Sequence, residues 1–206
     1  MRVALTARII QAPNYYEPRD CISHDWLKLL ASWQLTPILM PNILADPVSY
    51  LRDLAPDLLI LTGGDDLGST PERDQMENSL LDFAVETRLP TLGVCRGLQM
   101  INHYFGGQAA SLDNHIAQSH EVHFELAWHH LYGKSSRVNS FHAQGITHDD
   151  LASDLRVTGQ DINGWVEAAE HKRHPISAIM WHPERPDAPE GDHRLISNMI
   201  NLGKIK

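Results

Sequence analysis

Pro90-Thr-Leu-Gly-Val-Cys-Arg-Gly-Leu-Gln-Met-Ile-Asn-His-Tyr-Phe-Gly-Gly107 decides the fold. A short apolar run leads into Gly93-Val94-Cys95-Arg96-Gly97, and a helical pattern follows until Gly106-Gly107. Strand, sharp turn, nucleophile and helix form the elbow arrangement of G-x-S-x-G enzymes, here with a thiol. The flanking glycines are expected to let the backbone turn tightly and to keep the Cys95 side chain exposed. Free N–H groups at a helix start carry partial positive charge, which suits an anionic sulfur. The matching base lies far downstream, in Ile179-Met-Trp-His-Pro-Glu184. A poised cysteine with a distant histidine and carboxylate points to hydrolysis or acyl transfer.

Upstream of the elbow, Leu58-Leu-Ile-Leu-Thr62 is a continuous apolar run ending at Gly63-Gly64. Such a run suits a central parallel strand buried on both faces. Arg2 to Thr6, Pro37 to Met40 and Thr91 to Val94 read as further strands. Ile22 to Trp33, Asp74 to Arg88 and Leu98 to Phe105 carry helical stripes. Trp26 and Trp33 are seven apart and share the core face of the first of these. After Gly107 the pattern changes. Glu121 to Trp128, Arg137 to Asn139, Arg156 to Gly159 and Trp165 to Glu170 read as shorter strands, with antiparallel members among them. Ser177 to Trp181 is an apolar strand that delivers His182, and Asp192 to Leu202 is a closing helix. The alternation predicts an α/β fold: an open, doubly wound, mostly parallel sheet with flanking helices and a few added antiparallel strands. No linker breaks residues 1–206, so one domain is expected. Ligands of such sheets sit beyond the carboxyl ends of the strands, where Gly63-Gly64 and Cys95 fall.

At 206 residues the chain can bury a core without disulfide or metal staples. Its two cysteines, Cys21 and Cys95, exclude a disulfide framework and suit a reducing compartment. The first residues lack a full signal-peptide core, and no apolar run approaches a membrane span. A cytoplasmic location without membrane contact is expected. The formal charge of -9 argues against a dedicated nucleic-acid binder, which needs clustered Lys and Arg. It does not exclude a small anionic substrate in a local basic pocket. The sequence leaves the oligomeric state open, a homo-oligomer included.

Leu61-Thr-Gly-Gly-Asp65, Gly93-Val-Cys-Arg-Gly-Leu-Gln99, Asn139-Ser-Phe-His-Ala-Gln144 and Trp181-His-Pro-Glu184 occur in that order. The set resembles class I glutamine amidotransferases, which have a flavodoxin-like fold, and is most similar to their stand-alone γ-glutamyl hydrolase branch. The resemblance covers nearly the whole chain. It implies a triad of Cys95, His182 and Glu184 that works without a cofactor. In that scheme His182 takes the thiol proton and returns it to the leaving nitrogen, while Glu184 orients the imidazole. It further implies an oxyanion hole from the Gly64 and Arg96 backbone N–H groups, and a γ-glutamyl thioester intermediate. Gln99, one helical turn after Cys95, and the backbone of Ser140 and Phe141 would hold the glutamyl head group. His142 matches a histidine of this segment whose role is either substrate contact or structural support.

Thr6-Ala-Arg-Ile, Tyr16-Glu-Pro-Arg-Asp-Cys21, Asp25-Trp26, His103-Tyr-Phe105 and Asp113-Asn-His-Ile116 resemble γ-glutamyl-CDP-amidate hydrolases in particular. Such enzymes release glutamate from a nucleotide-linked amidate during surface-polysaccharide modification. Arg8 and Arg19 are then candidate diphosphate ligands, with the loop Arg8 to Asp20 and residues around Asn114 to Glu121 reading the leaving group. Hydrolysis of γ-glutamyl-γ-aminobutyrate or a related amine is the alternative. A glutaminase subunit that feeds a separate synthase and a catalytically silent binding or regulatory domain also stay open. His115, His120, His123, His129 and His130 cluster in the sequence with Glu121 and Glu125. No metal site is expected there: the spacing misses H-E-x-x-H, and on a strand His120 and His123 point to opposite faces. Cys21 is expected to be structural or solvent-facing at a helix start.

Overall fold

The computed structural model describes residues 1–112 and 118–203. The chain opens with β1 (Arg2–Thr6) and a hairpin of β2 (Arg8–Gln11) and β3 (Pro18–Cys21). Then come α1 (His24–Ser32), β4 (Thr36–Met40), α2 (Pro47–Leu54), β5 (Leu58–Leu61), α3 (Pro71–Thr87), β6 (Thr91–Val94) and α4 (Arg96–Tyr104). The second half contains β7 (Ala110–Ser111), β8 (His120–Phe124), a 3-10 turn at Leu126–Trp128, α5 (His129–Tyr132), β9 (Ser135–Val138) and β10 (Gln144–Gly145). It closes with β11 (Leu155–Asp161), β12 (Val166–His171), β13 (Ile176–Ile179) and α6 (Gly191–Gly203).

Among the described residues, nine strands form the main sheet in the order β4-β1-β5-β6-β13-β12-β11-β8-β9. The first five run parallel. Their spatial order is the second, first, third, fourth and fifth of those strands along the chain, the flavodoxin-like arrangement. From β12 onward neighbours are antiparallel. Side-chain alternation explains why the central strands are apolar throughout. Val3, Leu5, Leu58, Ile60, Leu92 and Val94 pack on one face with Trp26, Leu30, Leu195 and Met199 of α1 and α6. Ala4, Leu59 and Leu61 pack on the other, with Leu51, Met76, Leu80 and Leu98 of α2, α3 and α4. Each buried Leu or Ile contributes about 1.5–3 kcal/mol. Among the described residues no helix is long and apolar enough to cross a membrane.

Two readings change. The segment Glu121 to Trp128 is not one strand: β8 stops at Phe124, and the chain curls so that Trp128 N–H bonds the Glu125 carbonyl. The curl stacks Phe124 on Tyr132 at 4.7 Å and places Trp128 5.7 Å from Tyr132. Aromatic burial wins over strand continuation there. The stretch Arg8 to Asp20 is a hairpin lying apart from the main sheet rather than a loop. Asp20 anchors it, because both its oxygens accept from Asn42, whose side chain also donates to the Ala7 carbonyl.

Candidate active site

The elbow forms at the carboxyl end of β6, and its sharp turn is made by Cys95 itself. Cys95 has φ 54° and ψ -106°, a costly conformation for a residue with a Cβ. Its N–H bonds the Ile179 carbonyl at 2.8 Å, tying the elbow to β13. The glycines serve a different purpose from the expected one. A Cβ at Gly97 would collide with the Leu61 carbonyl, and one at Gly93 would lie 2.5 Å from the Gly97 carbonyl oxygen. They let α4 press onto β5 and β6. Cys95 is also buried, with 6% of its surface exposed, and not the open side chain that was expected. His182 and the Gly63 turn cover it.

The same turn brings cysteine and histidine together. A Cβ built on Gly63 would lie 2.8 Å from His182 Cε1 and 3.5 Å from the Cys95 Cβ. Only glycine leaves room for both. His182 Nδ1 and Glu184 Oε1 are 2.8 Å apart. Burial alone would depress the His182 pKa; hydrogen bonding and charge from Cys95 and Glu184 outweigh it and raise the value to about 9. Asn139 clamps the histidine backbone in both directions: His182 N–H donates to Asn139 Oδ1 at 2.9 Å, and Asn139 Nδ2 donates to the His182 carbonyl at 2.9 Å. Nδ2 also reaches the Pro186 carbonyl.

The other predicted site residues divide into groups. Phe141, 37% exposed, meets the His182 ring edge-on at 5.7 Å, with the Arg185 guanidinium 4.1 Å from its centroid. Ser140 is buried beside it, and Gln99 Nε2 donates to the Gln144 carbonyl at 3.3 Å. His142 points inward: Nδ1 lies 3.0 Å from the Gln144 carbonyl and Nε2 3.7 Å from Glu167, a structural placement. The Arg8 Cβ would lie 3.2 Å from a Cβ on Gly64, so Arg8 borders the turn. Arg19 shares the Arg8 face of the hairpin by register, and its guanidinium is engaged by Glu17 and the Tyr15 hydroxyl. Cys21 pairs with Arg8 at the end of β3, part-exposed and two residues before the α1 cap.

The histidine cluster disperses. His120 Nε2 lies 3.4 Å from buried Glu167, His129 Nε2 lies 3.0 Å from the Phe124 carbonyl, and His123 and His130 are exposed. Among the described residues no group of three or more His, Cys, Asp or Glu could hold a metal ion. His115, Asn114 and the motif Asp113 to Ile116 lie outside the described residues. Sequence reasoning missed roles for Asn139 and Gly63. The asparagine stood inside a quoted motif, and only its distance to residue 182 in space reveals the clamp.

The model of the family Peptidase C26 matches residues 3–184. A γ-glutamyl-CDP-amidate hydrolase from Campylobacter jejuni is 34% identical over 196 residues, covering 90% of each chain. A γ-glutamyl-γ-aminobutyrate hydrolase from Escherichia coli is 30% identical over 186 residues, covering 72% of each. The solved structure of a glutamine amidotransferase from Thermotoga maritima covers 100% of this chain and 86% of its own at TM-score 0.66 and 13% identity, a likeness of fold. The matched residues contain the Gly63 turn, the Cys95 elbow and the His182–Glu184 pair, and the chain belongs to the Peptidase C26 family, which is class I glutamine amidotransferase-like.

Proposed function

We propose that the chain, read as one domain, is a cysteine hydrolase that releases glutamate from a γ-glutamyl amide. The observation that carries this is the meeting of Cys95 and His182 around Gly63, with Glu184 at 2.8 Å from Nδ1. With its pKa raised to about 9, His182 takes the Cys95 thiol proton and holds it. The sulfur attacks the γ-carbonyl carbon, and the π electrons move to oxygen. The Gly64 N–H and the Arg96 N–H, first in α4 and so without an intrahelical acceptor, stabilise that oxygen. As the C–N bond breaks, His182 gives its proton to the leaving nitrogen. His182 then takes a proton from water, whose oxygen attacks the thioester carbon; the C–S bond breaks with its electron pair returning to sulfur, the sulfur recovers the proton from His182, and glutamate departs. Gln99 and the backbone of Ser140 and Phe141 read the glutamyl head group.

For the leaving group we propose a γ-glutamyl-CDP-amidate, in the modification of a surface polysaccharide and from a cytoplasmic enzyme. Arg8 supports it, as a half-buried cation bordering the Gly64 turn on an anchored hairpin. A γ-glutamyl amine such as γ-glutamyl-γ-aminobutyrate is the second reading. It is favoured by Arg19, already engaged by Glu17 and Tyr15 and less available to a diphosphate.

A glutamate-release screen over γ-glutamyl nucleotides, γ-glutamyl amines and free glutamine tests both. Cys95→Ala should abolish release and Cys21→Ala should leave it nearly unchanged; the reverse pattern would falsify the nucleophile. Arg8→Gln should raise KM for the nucleotide substrate about tenfold and leave KM for the small amine within about threefold, the scale of one lost charge-assisted contact. Equal effects on both substrates would leave the amine reading.

A further inference from the structure

Two ions of α3 are buried completely, and the reaction scheme does not use them. Arg73 and Glu77 are 0% exposed, and the Arg96 side chain, next after the cysteine, is 1% exposed. Glu77 stands between the two arginines. Its Oε1 accepts from Arg73 Nε at 3.0 Å and its Oε2 accepts from Arg96 Nη1. Arg96 Nη2 donates to Asp74. Burial pushes the Glu77 carboxyl up, but the two guanidinium charges prevail and hold it below its ordinary value. It is a carboxylate at neutral pH. The other Arg73 donors meet the turn: Nη2 donates to the Thr62 carbonyl at 2.7 Å and reaches the Thr62 and Thr6 hydroxyls at 3.3 and 3.5 Å, and both Nη atoms lie 3.3 Å from the Gly63 carbonyl oxygen.

Buried ions of this kind are a poor route to stability, because desolvation offsets most of their attraction. What they supply is direction. The Gly63 carbonyl and the Gly64 N–H belong to one planar peptide unit. Holding the carbonyl on one side fixes where the N–H points on the other. Arg96 holds the first residue of α4, whose N–H is the second donor. Glu77 connects the two through one rigid carboxylate. Gly64 packs directly on the bridge, since a Cβ at residue 64 would lie 2.3 Å from Arg73 Nη1.

We propose that Arg73, Glu77 and the Arg96 side chain are positioning residues, a buried ion bridge that aims the Gly64 and Arg96 N–H groups at one point, where the oxygen of the tetrahedral intermediate gathers charge. This rests on the γ-glutamyl hydrolase reading. The bridge acts through backbone, so its loss raises the transition state and leaves ground-state binding in place.

The test uses Arg73→Lys, which keeps a charge but loses the planar fork, and Glu77→Gln, which keeps the shape but loses the charge. Steady-state kinetics on γ-glutamyl-4-nitroanilide and alkylation of Cys95 by iodoacetamide are measured on protein shown by thermal melting to be folded. Alkylation needs the thiolate but no stabilised oxyanion. The expected result is a fall in kcat of about 100-fold, the scale of one lost oxyanion donor, with KM and the alkylation rate each within about threefold. Wild-type kcat in either folded variant overturns the bridge. So does alkylation that falls in step with kcat, which would place the effect on the sulfur. Failure of the wild-type protein to cleave the anilide and every γ-glutamyl substrate of the screen removes the hydrolase reading itself. If Arg73→Lys does not fold, Glu77→Gln carries the same decision.

Discussion

The two sides of Cys95 are held by different chemistry. On the side of β5, β6 and α4, the parts are locked by ions: Arg73, Glu77, Arg96 and Asp74. On the side of β13, a neutral amide holds the His182 backbone, and carboxyl groups meet the side chains: Glu184 at the imidazole and Asp192 at Trp181 and Tyr132. Asn139 holds the His182 backbone from both sides, and the Trp181 indole donates to Asp192 at 3.0 Å, as does the Tyr132 hydroxyl at 2.8 Å. Asp192 is the acceptor on this side. Burial raises its pKa to about 7 against the lowering by Tyr132 and Trp181, with Glu184 adding a further push upward. The contrast follows from what each side must do. In the proposed reaction the Gly64 and Arg96 N–H donors keep one charge state throughout, so fixed ions beside them do no harm. In the proposed reaction His182 gains and loses a proton in every turnover; the uncharged Asn139 amide at its backbone adds no charge to that balance, which the Glu184 carboxylate at the ring tilts toward the protonated form.

The sharpest break of this comparison is at the imidazole. His182→Ala should lower kcat by about 1,000-fold or more and Glu184→Gln by less, since proton transfer is worth more than orientation. Steady-state glutamate release decides it, and the opposite ranking would remove His182 as the proton carrier. The clamp comes next. Asn139→Ala should lower kcat by about 10- to 100-fold through a misplaced ring, and should cost about 1–3 kcal/mol in urea unfolding through unpaired backbone groups. Asn139→Asp sharpens the point. It keeps the shape, loses both donated bonds and adds a charge, so it should be no better than alanine; activity near wild type would mean that neutrality is irrelevant on this side.

The smallest effect is a pH window. The folded pKa of His182 lies near 9, above its ordinary 6.5. The folded state therefore binds that proton more tightly than the unfolded chain does. The stability it contributes is fully present below about pH 6.5 and is lost as pH rises through about 9. Urea unfolding of the wild type and of His182→Gln at pH 6, 8 and 10 measures it. The wild-type advantage should shrink across that interval, by an amount on the order of 3 kcal/mol or less. A flat difference would show that Cys95 and Glu184 do not raise the imidazole.

Much of this architecture was legible in the sequence. The apolar runs Leu58 to Leu61 and Thr91 to Val94 could be placed because strands buried on both faces lose their alternation. The order of the four motifs located the cysteine, the histidine and the glutamate. The hairpin was hidden because Arg8–Gln11 and Pro18–Cys21 are mostly exposed and carry no apolar rhythm. The helix α2 escaped too, although Asp46 before Pro47 is a helix-start signal and its carboxylate accepts from the Ser49 N–H. The ion bridge was least legible. Arg73 and Glu77, four apart on a helix, have the spacing of an ordinary surface salt bridge, and only the contact with Arg96 from another helix turns them inward.

The backbone of Cys95 has a consequence for heredity as well as for chemistry. A φ of 54° with ψ of -106° is a conformation that costs a side-chain-bearing residue about 1–3 kcal/mol. Glycine adopts it freely. The substitution that would most relieve this fold is thus the one that deletes its reactive group. Cys95→Gly should turn over nothing in the proposed reaction, and it exchanges the buried sulfur beside His182 for a relaxed backbone. Random mutagenesis scored for thermostability alone is blind to that loss of activity, so a stabilised version of the protein has to draw its gains from elsewhere in the chain.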